Sequence, residues 1–312
     1  LFMLTSIGGN FSILENPVIP NLTGLDNITS IGGDVFIKPN ENLRTLNGLN
    51  NLQTIGGDLI IRGSYWNTNS INSIDALINL TTIGGKLEVH SCDSLTSLSG
   101  LDNIDPESIT DLNIYHNALL STCEIQSVCN YLSSPNGVIA INYNAIGCNN
   151  PPEIADACGI VLSCLPHGNY FFQNQDDIDN FQSNYQNCNT LYGNTTIRGD
   201  NITNLNGLNN ISYIESGLNI GSYYSGNDSL IDLSGLNNLN RIGGYLEIHA
   251  NDNLVNLTGL NNLDSIGGKL QIMDNDKLSS LIGLENLKYI GNSIDIYGTQ
   301  YLENLSELSS IN

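Results

Sequence analysis

Two strand-like segments each place a carboxylate two residues ahead of an imidazole: Glu88 with His90 in KLEVH, and Glu247 with His249 in YLEIH. Such a pair could orient a general base or share a metal ion. In an extended strand both side chains point to one face, about 7 Å apart. Equivalent positions elsewhere hold Ile60 and Arg62, Asn113 and Tyr115, Gln271 and Met273, and Asp295 and Tyr297. That variation reads as a polar ladder on a solvated sheet face. No GxSxG, HExxH, P-loop or Rossmann spacing supplies a further catalytic partner. No catalytic residue is assigned, and the chain is expected to be non-enzymatic.

Oxygen-rich clusters raise the question of calcium. Asn251, Asp252 and Asn253, then Asp274, Asn275 and Asp276, and also Asn227 with Asp228, are the candidates. Calcium takes about six to eight oxygens from a fitting loop, and none of these clusters has the EF-hand or nonapeptide spacing. Their shared place in the sequence reads as turn chemistry or an Asn ladder. Ca2+ stays a candidate ligand; no metal site and no cofactor is assigned. Aromatic rings are the third group. A four-residue insertion falls within each of two segments, GSYWNTNS (63–70) and GSYYSGND (221–228), which bring the pairs Tyr65–Trp66 and Tyr223–Tyr224. Rings on a protruding loop stack sugars or anchor protein partners. The bland alternative is that they fold back over a coil edge.

All of these residues sit on a repeat. Residues 233–256 read LSGLNNLNRIGGYLEIHANDNLVN, and 257–280 read LTGLNNLDSIGGKLQIMDNDKLSS. Earlier, Gly-Gly pairs at 8–9, 32–33, 56–57 and 84–85 step by 24, 24 and 28. Self-similarity this regular marks a solenoid whose coils cannot bury their apolar face alone but can when stacked. In GGDLIIR, alternation turns Leu59 and Ile61 inward and Ile60 and Arg62 outward. Leu59, Leu87 and Leu112 should then be successive rungs. Gly32 and Gly33 mark a corner needing positive φ or a close approach. The expected fold is mainly β: a right-handed β-solenoid in two tandem domains with short helical, disulfide-bonded caps.

The pattern L-x-G-L-x-N-L-x-x-I-G-G-x-L-x-I-x-x-N-x-x-L resembles the receptor L domain, the ligand-binding solenoid of growth-factor-type receptors. It is also similar to tandem leucine-rich-repeat surface proteins of Bacteroidetes-type bacteria. The resemblance implies a ligand-binding or assembling extracellular module. Fold alone does not name a function. Asp-Ser-apolar triplets resemble a Bacteroidetes O-glycosylation signal, with Ser94, Ser229 and Ser265 as acceptors.

Seven cysteines crowd towards the middle, without a CxxC pair. Clustering at a junction reads as disulfides and an oxidising compartment. The rhythm breaks after Ser121, so residues 122–163 read as a C-terminal cap of a first domain, 1–163. Cys123, Cys129, Cys148 and Cys158 lie there, with three pairings open. A second domain, 164–312, would begin with a cap over 164–190, pinned by a Cys164–Cys188 bridge; the receptor L domain is likewise closed by cysteines at its opening. Cys92 is left as a buried thiol.

With 31 acidic against 9 basic residues and a net charge of −22, nucleic acid is a poor partner. No apolar run reaches the roughly 18 residues that span a bilayer. Leu1 and Asn312 both fall inside repeats, so both natural ends are expected to lie outside the sequence. The leading expectation is a secreted, cell-surface adhesin or fibre component acting by self-association. The alternative is a receptor ectodomain or lectin-like module with a protein or glycan ligand.

Overall fold

The computed structural model describes residues 4–63 and 71–311. The chain divides into two compact units, Leu1–Leu162 and Ser163–Asn312. Each is built from parallel strands contributed one per repeat. In the first unit, Phe11–Ile13, Val35–Ile37, Leu59–Arg62, Leu87–His90, Leu112–Tyr115 and Ile139–Asn142 form a six-stranded sheet in sequence order. Ser6–Ile7, Ser30–Ile31, Thr54–Ile55 and Thr82–Ile83 form a second sheet of four. The second unit repeats this plan with sheets of six and five strands. Leu59 pairs with Leu87 and Leu87 with Leu112, so these leucines are successive rungs.

Two spacings in the sequence produce this architecture. From Asn40 the inward residues Leu43, Leu46, Leu49, Leu52 and Ile55 recur every third position, and all are buried. Backbone bonds run with the same step: Leu43 to Asn40 (3.1 Å), Leu49 to Leu46 (3.0 Å) and Leu52 to Leu49 (3.0 Å). Consecutive i to i+3 turns return every third side chain to one side. The following strand has the two-residue alternation, with Leu59 and Ile61 buried and Ile60 and Arg62 half-exposed. Each buried Leu or Ile contributes about 1.5–3 kcal/mol, which a repeat gains only against its neighbours.

Asparagine and glycine set the corners. The Asn of the Leu-x-Asn-Leu stretch reaches back one repeat: Asn51 Nδ2 donates to Asp26 O (2.6 Å), Asn262 to Asn237 O (2.6 Å) and Asn286 to Asn261 O (2.8 Å). The Gly-Gly corner answers to close approach. A Cβ on Gly32 would lie 2.6 Å from Gly8 O. Positive φ belongs instead to the glycine of Leu-x-Gly-Leu, as at Gly259 (116°).

The caps differ from the expected layout in two respects. In the first unit, α1 (Gln126–Ser133) and α2 (Pro151–Cys158) flank Ile139–Asn142, which pairs in register with Leu112–Tyr115. The cap region therefore contains one more rung. Disulfides Cys123–Cys148 and Cys129–Cys158 tie it. In the second unit, the first strand, Tyr170–Phe172, precedes the helices α3 (Gln175–Asp179) and α4 (Phe181–Asn184) instead of following Cys188. Tyr170, Phe172, Phe181 and Tyr185 pack with ring centroids 5.3–6.2 Å apart, and Cys164 is bonded to Cys188. Aromatic bulk drew this strand in where the short Leu-rich pattern is missing.

Candidate functional site

The first Glu–His pair is closer and less solvated than a flat strand predicts. Lys86 Nζ lies 2.7 Å from Glu88 Oε2, and His90 Nε2 lies 3.4 Å from Glu88 Oε1. The hydrogen bond from His90 is the main reason that the Glu88 carboxyl is held at about 2; Lys86 adds to it and burial opposes it. His90 is only 5% exposed. Its ring is covered by Tyr115 on the next rung, with centroids 4.7 Å apart and planes 10° apart. The solvated-ladder reading is corrected here: strand pairing places a ring directly over the imidazole.

The aromatic run continues beyond the strand. Tyr115 meets His116 edge-on at 5.8 Å, and His116 stacks on Tyr143 at 4.7 Å. Ser91, His116 and Tyr143 occupy the same position after successive strands, and all three have positive φ (55°, 54° and 54°). A left-handed turn at each rung swings the side chain onto the sheet's flank. Ser91, Asp93, His116, Ala118 and Tyr143 line a cavity of about 220 Å³. Periodicity does not reveal this stack, because alternation ends at the strand and the turn conformation has no two-residue signature.

The second pair has the same sequence and different surroundings. Lys269, immediately before the adjacent strand Leu270–Met273, reaches Glu247 at 2.7 Å. His249 pairs across the rung with Met273, and its Nε2 is buried without a hydrogen bond. Burial pushes the His249 imidazole below 6.5, against the opposing field of Glu247.

The Asn candidates for calcium turn inward. Asn227, Asn251 and Asn275 are fully buried. Asn251 Oδ1 accepts from the backbone N of Asn227 (3.0 Å), while its Nδ2 donates to Ile220 O (3.0 Å) and His249 O (2.9 Å). Asn275 does the same one rung on. Cys92 stands where this ladder would have an Asn. Its backbone N donates to Asn117 Oδ1 (2.9 Å), and its thiol lies 3.9 Å from Ile61 O and 3.5 Å from His90 O. Burial pushes that thiol up to about 12, so it has no nucleophilic thiolate at neutral pH. Among the described residues, no group of three or more His, Cys, Asp or Glu side chains is arranged to hold a metal ion.

Of the aromatic insertions, Tyr65 and Trp66 lie outside the described residues. Tyr223 and Tyr224 are 66% and 91% exposed, with rings meeting edge-on at 5.0 Å. They do not fold back. Ser222 and Ser225 close the loop by a short antiparallel bridge. Gly221 and Gly226 press on the backbone of His249 and Ala250, where a Cβ would not fit. Of the serine acceptors, Ser229 is exposed and bonds Asp200 O (3.1 Å), Ser265 lies in a paired strand, and Ser94 is half-buried.

Residues 187–300 match the family model described as Receptor L domain. The match begins beside Cys188 and ends after the strand Ile294–Tyr297, so it lies within the second unit. No curated protein matches the chain. Parallel sheets, few helices and three disulfides accord with that family and with an oxidising compartment. Among the described residues, no helix is long and apolar enough to cross a membrane.

Proposed function

We propose that the chain is a non-enzymatic, ligand-binding ectodomain module of the receptor L type, wound as two tandem right-handed solenoids. The observation that carries this reading is the Tyr223–Tyr224 pair on a unit matching the Receptor L domain. Two adjacent exposed rings forgo burial worth about 25 cal/mol per Å². A rigid loop foot at Gly221 and Gly226 makes them a low-entropy contact for a protein or glycan at the cell surface. Nucleic acid and cofactors have no part in this reading.

The test is capture on arrays of extracellular proteins and glycans, comparing the wild type with the Tyr223→Ala/Tyr224→Ala double variant. Loss of a specific hit with an unchanged melting curve supports the reading. A double variant that retains every hit overturns it. We place the adhesin or fibre reading second. It draws on Ile231 and Val255, which stand 24 residues apart at the same repeat position and are 59% and 43% exposed. Sedimentation that stays monomeric at high concentration would remove it.

A further inference from the structure

The second unit carries an open groove of about 990 Å³ where α4 meets the first turns of the repeat. Gln182, Gln186, Asn187, Asn210, Ser212 and Asn238 contribute to its lining, and none of its nine residues bears a charge. In a chain with 31 acidic residues, that neutrality singles the groove out.

Many carboxamides elsewhere are committed to the fold. Asn51, Asn79, Asn103, Asn262 and Asn286 each donate to a carbonyl one repeat back, and Asn227, Asn251 and Asn275 form the buried ladder. In the groove, Asn238 does donate to Asn209 O (2.6 Å). The side chains of Gln182, Gln186, Asn187 and Asn210 have no such partner among the described residues. The Gln182 Nε2 atom is buried and makes no hydrogen bond. A buried amide donor without an acceptor is costly, and a Gln182 side chain that turned it into the groove would recover that loss against a ligand oxygen.

We infer that this groove is a binding site for a neutral, hydroxyl-rich ligand, an oligosaccharide in chemical class. Carboxamides donate and accept at once, as sugar hydroxyls do. An ion would find no counter-charge here. A protein epitope would find no apolar centre to bury. The volume is at the upper end of the ordinary range for ligand sites and holds several linked sugar rings. The site shares no residue with the Tyr223–Tyr224 loop, so it stands or falls separately from the proposed function.

The side-chain amide resonances of the full 312-residue chain are followed during titration with linear neutral glucan, galactan and mannan oligosaccharides. Oligogalacturonate serves as the charged control. The expected result is that at least one neutral sugar shifts the amides of Gln182, Gln186 and Asn210. Gln186→Trp, which fills the groove from an exposed position, should weaken that binding by about tenfold or more. Gln182→Ala should weaken it as well, and Tyr223→Ala/Tyr224→Ala should leave it unchanged. The inference is overturned if no neutral sugar moves these amides or if the charged control moves them as strongly. Gln186→Trp binding like the wild type at an unchanged melting temperature also overturns it.

Discussion

The segments KLEVH and YLEIH are nearly the same five residues in two units, yet they build different environments. In the first, Lys86, Glu88 and His90 form one connected cluster under the ring of Tyr115. In the second, Glu247 takes its lysine from the next repeat, and His249 faces Met273 with its Nε2 unbonded. In stacked repeats a side chain's chemistry is set as much by the rung beside it as by its own strand. Glu88 is acidified because its histidine is held against it; His249 is made less basic because burial outweighs the opposing field of Glu247 and a hydrogen bond with Gln271.

The same contrast holds for Asn251 and Cys92, which occupy one ladder position with different donors. Asn251→Ala removes bonds to Ile220 O and His249 O and orphans the buried N–H of Asn227. It should cost about 3 kcal/mol in urea unfolding, the largest effect expected. Cys92→Ala should cost about 1 kcal/mol, since a thiol donates weakly. Equal costs would show that the ladder is not what secures these coils.

Glu88→Gln should cost about 1–2 kcal/mol at neutral pH, allowing for solvent screening of the partly exposed pair. The folded carboxyl sits at about 2 against an ordinary 4.5, so its stabilisation is present above 4.5 and drains away as pH falls towards 2. Wild type and variant should therefore converge in acid. A gap that fails to shrink as pH falls from 4.5 towards 2 would break the assignment. Exchanging the covering residues sharpens the comparison further. Tyr115→Met should lose about 1 kcal/mol of ring stacking on His90, and Met273→Tyr should place a ring on His249. A Tyr115→Met variant as stable as wild type would mean that the stack contributes nothing.

The smallest expected effect concerns His249. Its folded value lies below that of the unfolded chain, so the unfolded state binds more protons as pH drops through 6.5. Stability present above that point is partly lost below it, and His249→Met should flatten this slope. An imidazole resonance titrating above 6.5 would contradict the dominance of burial at this ring.

Much of the fold was legible because its periods are physical. Leucines every third residue follow from successive i to i+3 turns, and alternation in GGDLIIR follows from the pleat. The aromatic loop could be picked out by length alone, since Gly221 through Asp228 interrupts the spacing. The His116–Tyr143 stack and the Gln182 groove could not, since each depends on residues 27 or more apart brought together by turns or a cap.

The sequence by itself determined which side chains are rungs, because repeat spacing and hydrophobic burial leave one register that hides the recurring Leu and Ile of each coil. It also marked the corners, where Gly admits a neighbouring backbone and Asn replaces missing backbone partners. Only the tertiary structure decided how the first cap's four cysteines join, which histidine is covered, and which amides face outward. Those outcomes depend on distances between repeats, and local propensity carries no information about what the next rung will place alongside.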